Sequence, residues 1–375
     1  MTSRRIDAPS SDSPVTMLEL FFDLVFVFVI TQLSALAGGP NHWLGYGQAA
    51  MVLLPTWWIY DGFVWLSNNV APTSTATRIP MIVAMTCFLA MAADTPDAFG
   101  AGAWVFAAAY VIVVAIHAFQ FSRSSLGVSS RGIRRIAPVN FAVAVLLFAA
   151  AALGPSWGWI AWVAAILLLV LAGLRRFAFF TLRAEHFAER HRLLIIIALG
   201  ETVVAVGVSV LGRLAYPAVL VSFLVAMIVI TALWWTYFGV GDDVRGPLAI
   251  ESADPEKQTG LASRAYSLWH LLHIAGLVLV AVALHHILKD PGQPLSWNTA
   301  IVFGVGSATF LLAQALFRRT LGLGSARLHV IAAAVLLVLS PIGVVSTGLS
   351  ELVVMAGALI LFVVLLQRHT ARTVA

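Results

Sequence analysis

Twelve stretches of this chain are apolar for long enough to cross a bilayer, and no other feature limits its fold so strongly. A spanning helix needs about 20 mainly apolar residues. Runs at 17–37, 46–66, 79–94, 101–121, 136–153, 157–174, 192–212, 215–240, 265–288, 297–317, 328–346 and 349–366 meet that length or approach it. Only 10% of the residues are charged and 61% are hydrophobic, with a mean hydropathy of +0.95. A soluble domain carries about 25% charge. Inside hydrocarbon the backbone must satisfy its own hydrogen bonds, and for runs of this length that means helices. The expected fold is an all-α integral membrane protein with about twelve transmembrane helices. The one long polar connection, about 241–263, reads as a cytosolic loop.

Arg4 and Arg5 precede the first run, which ends in Ala35-Leu36-Ala37, as in a cleaved leader. That run is too long for a leader core and holds Glu19 and Asp23, so it is expected to stay as a span. The single Cys87 can form no intrachain disulfide. A formal charge of +5 raises nucleic acid as a partner, but the placement of the basic residues has a simpler cause. Twenty of the twenty-two Lys and Arg fall on one side of the twelve-span alternation, and only Arg213 and Lys289 on the other. The twenty include Arg175, Arg176, Arg183, Arg190 and Arg192 in the join after the sixth span, and Arg318 and Arg319 after the tenth. By the positive-inside rule both termini are expected to be cytosolic. The basic cytosolic face is expected to meet anionic membrane lipid.

Trp57-Trp58-Ile59-Tyr60 recurs as Trp234-Trp235-Thr236-Tyr237, an offset of 177, and Asp23 and Glu201 differ by 178. Tryptophan is 12 of 375 residues, so the recurrence points to two related halves. The layout predicts an N-terminal six-helix repeat over 1–174, a cytosolic connecting segment over 175–191 and a C-terminal six-helix repeat over 192–375. Even helix counts make such repeats parallel, about an axis normal to the membrane. Trp57, Trp58, Tyr60, Trp234, Trp235 and Tyr237 read as an interfacial aromatic belt. Gly200 and Gly207 are seven apart on one helix face, where another backbone can come close.

A carboxylate at the centre of a membrane helix costs about 2.5–3.5 kcal/mol on insertion scales. Asp23 and Glu201, kept at matched places, are therefore expected to line an ion or proton path, facing each other across the repeats. The plainer reading gives each a fixed hydrogen-bond donor. Glu19 is one turn before Asp23, and Thr16-Met17-Leu18-Glu19 fits a capping box. Asp61 follows the first WWxY near the cytosolic end of its helix, where water is close. His270 and His273 are three apart on one helix and read as a proton relay or as packing. A metal is not expected there, because no further ligand set accompanies them. His117 and Gln120 read as core residues with satisfied hydrogen bonds, and the Glu185-to-His191 stretch as a surface helix with i,i+4 ion pairs.

The string Glu19-Leu20-Phe21-Phe22-Asp23-Leu24-Val25-Phe26-Val27, with Thr31-Gln32-Leu33, resembles the opening signature of the bacterial low temperature requirement A family. His186, Glu189-Arg190-His191 and Ile196-Ile197-Ala198-Leu199-Gly200-Glu201 are similar to its second signature. The family name implies a growth phenotype in the cold, and the resemblance brings no settled biochemical activity. More distantly, Phe21-Phe22-Asp23 is similar to the Phe-Ser-Asp motif of the lysosomal potassium and proton channel family, also built on six-helix repeats. The second half has Leu199-Gly200-Glu201 instead.

These readings converge on a membrane transporter or channel for a small cation or a proton-coupled solute. Glu19, Asp23, Asp61, Glu201, His270 and His273 are its candidate path residues. The alternatives are a non-transporting scaffold or cold-related sensor and, further off, an intramembrane metal-dependent enzyme. No phosphate loop, nucleophile elbow or paired-Cys motif is present, so no cofactor is expected. Membrane lipid and a small ion or solute are the expected partners, nucleic acid is not, and self-association into a homo-oligomer stays open.

Overall fold

The computed structural model describes residues 14–39, 42–124, 127–174 and 180–374. Arg4, Arg5, Arg175 and Arg176 of the charge count lie outside them. The described residues form helices α1 (Met17–Ala37), α2 (His42–Asn69), α3 (Thr75–Ala93), α4 (Ala103–Ser122), α5 (Gly127–Leu174), α6 (Ala184–Ser209) and α7 (Pro217–Phe238). Then follow α8 (Asp242–Glu251), α9 (Pro255–Ala262), α10 (Trp269–Lys289), α11 (Trp297–Leu321), α12 (Arg327–Leu339), α13 (Ile342–Val345) and α14 (Gly348–Val374). Among the described residues eleven helical stretches are long and apolar enough to cross a membrane.

One of the eleven is two spans. At 48 residues, a straight α5 would run about 72 Å, more than twice the hydrocarbon thickness of roughly 30 Å. Gly154, at φ +68°, breaks it. That backbone suits a residue without Cβ, and Pro155 beyond it has no N–H to continue the ladder. A Cβ added to Gly158 would lie 2.5 Å from the Ala150 carbonyl oxygen. Eight residues of unbroken helix would separate those positions by about 12 Å. The chain therefore doubles back at Gly154, and the fifth and sixth expected spans are the arms of this hairpin.

The polar connection near 241–263 is not a loop. It folds into α8, α9 and a π-helical segment, Ser263–Leu268, that leads into α10. The reason is Asp242, which is fully buried against a partner described below. Likewise α6 begins at Ala184, so the second part of the expected connecting segment is helix. Its Phe187, Ala188, Arg190 and His191 are buried.

Two compact units divide the chain. The first contains Trp43–Leu193 with the preceding helix as far as Leu36, and Ala253–Ala262; the second contains Ala37–His42, Leu194–Ser252 and Ser263–Ala375. In the first, Phe22 and Phe26 of α1 stack on Tyr60 of α2 and meet Phe88 of α3 edge-on. Aromatic pairs of this kind add about 0.5–1.5 kcal/mol beyond their buried area.

In the second unit α10 and α11 touch backbone to backbone. A Cβ on Gly276 would lie 2.8 Å from Gly306 O, and a Cβ on Gly306 would lie 2.9 Å from Gly276 O. Small residues permit such crossings in membranes. Gly200 and Gly207 do not serve this way, since nothing lies within 4 Å of a Cβ at either. Replacing Gly306 with Leu is expected to force α10 and α11 apart and to cost about 1–3 kcal/mol. Gly200→Leu should cost less than about 0.5 kcal/mol. Thermal unfolding of the two variants in mild detergent measures the contrast.

Candidate functional site

Two side chains on α1 and two on α6 share one spacing. Glu19 and Asp23 are i,i+4, as are His186 and Arg190, so each pair presents one helix face. In the first unit the two faces meet. The Arg190 guanidinium donates from Nε to Asp23 Oδ2 at 3.0 Å and from Nη2 to Asp23 Oδ1. Its Nη1 donates to Ser67 Oγ at 2.9 Å and stands 3.5 Å from Glu19 Oε1. Tyr60 Oη donates to Asp23 Oδ1 at 2.7 Å. Asp23 and Arg190 are wholly buried, at 0% exposure each. Paired and hydrogen-bonded, both charges are compatible with the interior; alone, neither is.

Glu19 is held differently. Its Oε2 accepts from the Thr16 backbone N–H at 2.7 Å, and the Glu19 N–H donates to Thr16 Oγ1 at 3.3 Å, which closes the expected capping box. The other oxygen, Oε1, is 3.2 Å from His186 Nε2. It is within ion-pair range of both His186 and Arg190. Asn68 fixes the imidazole. Asn68 Oδ1 accepts the Arg183 N–H at 2.9 Å, so its amide nitrogen is the group facing His186 Nδ1 at 3.5 Å. That assigns Nδ1 as acceptor and leaves Nε2–H directed at Glu19. Arg183 closes the rim, donating to the Asn68 and Ser67 carbonyls. Burial pulls the Arg183 pKa down, and the nearby Glu19 charge opposes that shift.

Beside this cluster a second acid meets a second imidazole. Asp61 Oδ1 lies 3.3 Å from His191 Nε2, while His191 Nδ1 bonds the Phe187 carbonyl at 2.8 Å. The free volume here is small: a void of about 10 Å³ lies against Ser67, with Gln120 and Thr77 in its wall. A space of that size holds about one water. A larger cavity of about 390 Å³ adjoins Leu44, Gly47 and Met51 at the other end of α2, with no charged group in its wall.

The second unit has a buried ion pair of its own. Asp242, at the start of α8, accepts from Arg318 Nη1 at 2.8 and 2.7 Å, from Gln314 Nε2 at 2.9 Å and from Arg245 Nη2 at 2.6 Å. With its amide nitrogen on Asp242, Gln314 turns Oε1 toward His273 Nε2 at 3.1 Å. His270 donates Nδ1–H to the Ala265 carbonyl at 3.0 Å, which leaves Nε2 to accept from Tyr237 Oη at 2.7 Å. Both histidines are thus engaged by fixed partners. Among the described residues no group of three or more His, Cys, Asp or Glu is placed to hold a metal.

Sequence expectation and structure part company at four places. Asp23 is saturated by Arg190 and Tyr60, so it has no lone charge to offer a mobile cation. Glu201 is half-buried and belongs to the second unit, so neither unit by itself contains the facing pair. Trp57, Tyr60 and Tyr237 are buried rather than interfacial, while Trp58 and Trp234 are half-buried and Trp235 is exposed. The tyrosine of each WWxY sits inward because its hydroxyl serves a buried polar group, Asp23 in one unit and His270 in the other. Finally, Arg190 and Arg318 were counted among loop charges and are buried at 0% and 3% exposure. Without them the expected alternation counts eighteen basic residues against two.

The residues missed from sequence are the basic partners and the amide between them: Arg190, Arg318, Gln314 and Ser67, with Asp242 set aside as loop. A signal for Arg190 existed in the matched i,i+4 spacing of Glu19/Asp23 and His186/Arg190. The surface-helix reading paired those basic residues within their own helix instead. His117 and Gln120 are core residues that bond Gly62 O at 2.9 Å and Thr77 O at 3.2 Å, but His117 Nδ1 and Gln120 Oε1 have no hydrogen-bond partner among the described residues.

Comparison with known proteins agrees with the reach of the two signatures. Residues 14–366 match the family described as bacterial low temperature requirement A protein. An uncharacterized protein of Rhizobium meliloti (strain 1021) is 27% identical over 328 residues, covering 80% of this chain and 76% of its own length. No solved structure matches the chain.

Proposed function

We propose that this chain, which belongs to the bacterial low temperature requirement A family, is a proton-coupled membrane transporter or channel in which Glu19 carries the exchangeable proton beside the His186 imidazole. The family membership and the many apolar helices make it a membrane protein. Its transport role rests on one observation: of the two acids on α1, only Asp23 is fully committed. Arg190 and Tyr60 hold Asp23 through three hydrogen bonds, whereas Glu19 Oε1 faces the His186 imidazole at 3.2 Å and stands 3.5 Å from the guanidinium. Glu19 is the group that binds and releases the proton, and the His186 Nε2–H aimed at its carboxylate steadies the ionised form. Asp61 and His191, at 3.3 Å, extend the same pairing along α2 and α6.

In this reading the protein lies in the bacterial inner membrane with both termini cytosolic, which the placement of Arg and Lys supports. Two six-helix repeats, 1–174 and 192–375 joined by 175–191, are supported by the recurrent WWxY. The second reading is a non-transporting scaffold or cold-related sensor, favoured by the saturation of Asp23, since a fully bonded ion pair is what a purely structural cluster also needs.

Flux separates them. Full-length protein in vesicles of phosphatidylethanolamine and phosphatidylglycerol, assayed with dyes for H⁺, Na⁺ and K⁺, is expected to move protons faster than empty vesicles. Glu19→Gln should bring that rate to the empty-vesicle level while circular dichroism and melting temperature stay near wild type. Wild-type rates for all three ions equal to those of empty vesicles, or Glu19→Gln conducting like wild type, would exclude the transport reading.

A further inference from the structure

Glu351 takes no part in either cluster. It sits in the first turn of α14, is 0% exposed, and neither carboxyl oxygen closes a hydrogen bond among the described residues. Its pocket leaves room for the carboxyl and for nothing more. A Cβ on Gly343 would overlap Glu351 Oε2 and lie 2.8 Å from Leu295 Cδ1. Three backbone hydrogen bonds fasten the segments above it: Leu295 N–H to Gly343 O at 2.8 Å, Gly348 N–H to Gln293 O at 2.9 Å and Leu349 N–H to Pro291 O at 2.9 Å. Ile287 and Leu295 line the neighbouring Gly348. The surroundings are therefore backbone and aliphatic carbon.

Among the described residues of the second unit no cation forms an ion pair with the carboxyl. His285 Nδ1 meets Ser209 Oγ at 2.8 Å and His286 Nδ1 meets Val282 O at 2.8 Å. Arg213 is turned to the Leu288 and Lys289 carbonyls, and Lys289 and Asp290 are exposed. None of these forms an ion pair with Glu351. The titratable groups of α7, α11 and α12, namely Tyr237, Arg318, Arg319, Arg327 and His329, lie at the far ends of those helices. Along α11 the distance from Trp297, beside this pocket, to Arg318 is roughly 30 Å at 1.5 Å per residue. An ionised carboxylate without a counter-charge in such a place loses its hydration and has at most the Gly343 backbone contact in return. A carboxylic acid does not carry that penalty in full.

We infer that Glu351 is a proton-binding site: it is a carboxylic acid in the packed state, and release of its proton unseats the 290–296 segment that closes this end of the second unit. A metal cation is a poorer occupant, because two carboxyl oxygens among aliphatic side chains fall short of the six or more oxygen ligands a calcium-like ion takes. In the orientation read from the basic residues, this end faces away from the cytosol. The site is independent of the transport reading, since it concerns protonation and packing rather than flux.

Infrared difference spectroscopy and melting curves on the full-length protein in mild detergent test it. At neutral pH the wild type is expected to show a protonated-carboxyl C=O band that Glu351→Gln lacks. The pH dependence of stability has a defined sign. A group protonated when folded and ionised when unfolded binds more protons in the folded state, so stability falls as pH rises. Wild-type melting temperature should therefore decline toward alkaline pH more steeply than that of Glu351→Gln. Identical carboxyl bands, or parallel melting curves, overturn the inference. Should Glu351→Gln fail to fold, the wild type decides by itself: protease cleavage within 290–296 is expected to rise on alkalinisation, after correction for the protease's own pH profile, and flat cleavage overturns it.

Discussion

Arg190→Gln is expected to lower the unfolding free energy by about 3–5 kcal/mol, among the largest effects of any single change in the first unit. The substitution keeps much of the side-chain volume and removes the charge, leaving Asp23 buried at 0% exposure with Tyr60 as its remaining donor. Glu19 loses the guanidinium 3.5 Å away at the same time. Asp23→Asn should cost a similar amount for the mirror reason, a buried guanidinium without its carboxylate. The double variant, Asp23→Asn with Arg190→Gln, then loses clearly less than the sum of the two single losses. Coupling of that sign is the mark of a direct pair. Unfolding in mild detergent titrated with dodecyl sulfate, followed by tryptophan fluorescence, measures all four corners of the cycle. Strictly additive losses would mean that Arg190 and Asp23 do not act on each other.

Asp242→Asn is the second large effect, again about 3–5 kcal/mol, because Arg318 would be left charged at 3% exposure. It also leaves Arg245 and Arg318 repelling each other across the neutral amide. Arg245→Gln provides the contrast. Arg245 meets the same carboxylate at 2.6 Å, but its side chain is 40% exposed, and pairs with an exposed member contribute about 0–1 kcal/mol. The same unfolding assay should rank Asp242→Asn far above Arg245→Gln. Equal losses would show that exposure is not what separates the two arginines. A loss of this size also explains why 241–263 folds as helix: the polar segment is anchored at its first turn by a buried ion pair.

Legibility from sequence followed the physics that acts locally. Apolar run length is a property of contiguous residues, so the spans were readable, including the two arms around Gly154-Pro155 that the structure joins in one hairpin. The capping box at Thr16 and Glu19 was readable because it spans only three residues. Arg190 was not, for an instructive reason. Charge counting assigns an arginine near a helix end to water, and only contact between α1 and α6, 167 residues apart in sequence, shows that it is the counter-charge of Asp23. The same holds for Arg318 and Asp242, separated by 76 residues.

By itself the sequence determined that this chain is a helical membrane protein and that Glu19 and Asp23 share a helix face. Tertiary structure alone decided which buried charges are paired and which are not: Asp23 with Arg190, Asp242 with Arg318, Glu19 beside an imidazole, and Glu351 with no counter-charge. The reason is that hydropathy depends on each residue and its neighbours in the chain, whereas the cost of a buried charge depends on what a distant helix brings within about 3 Å of it.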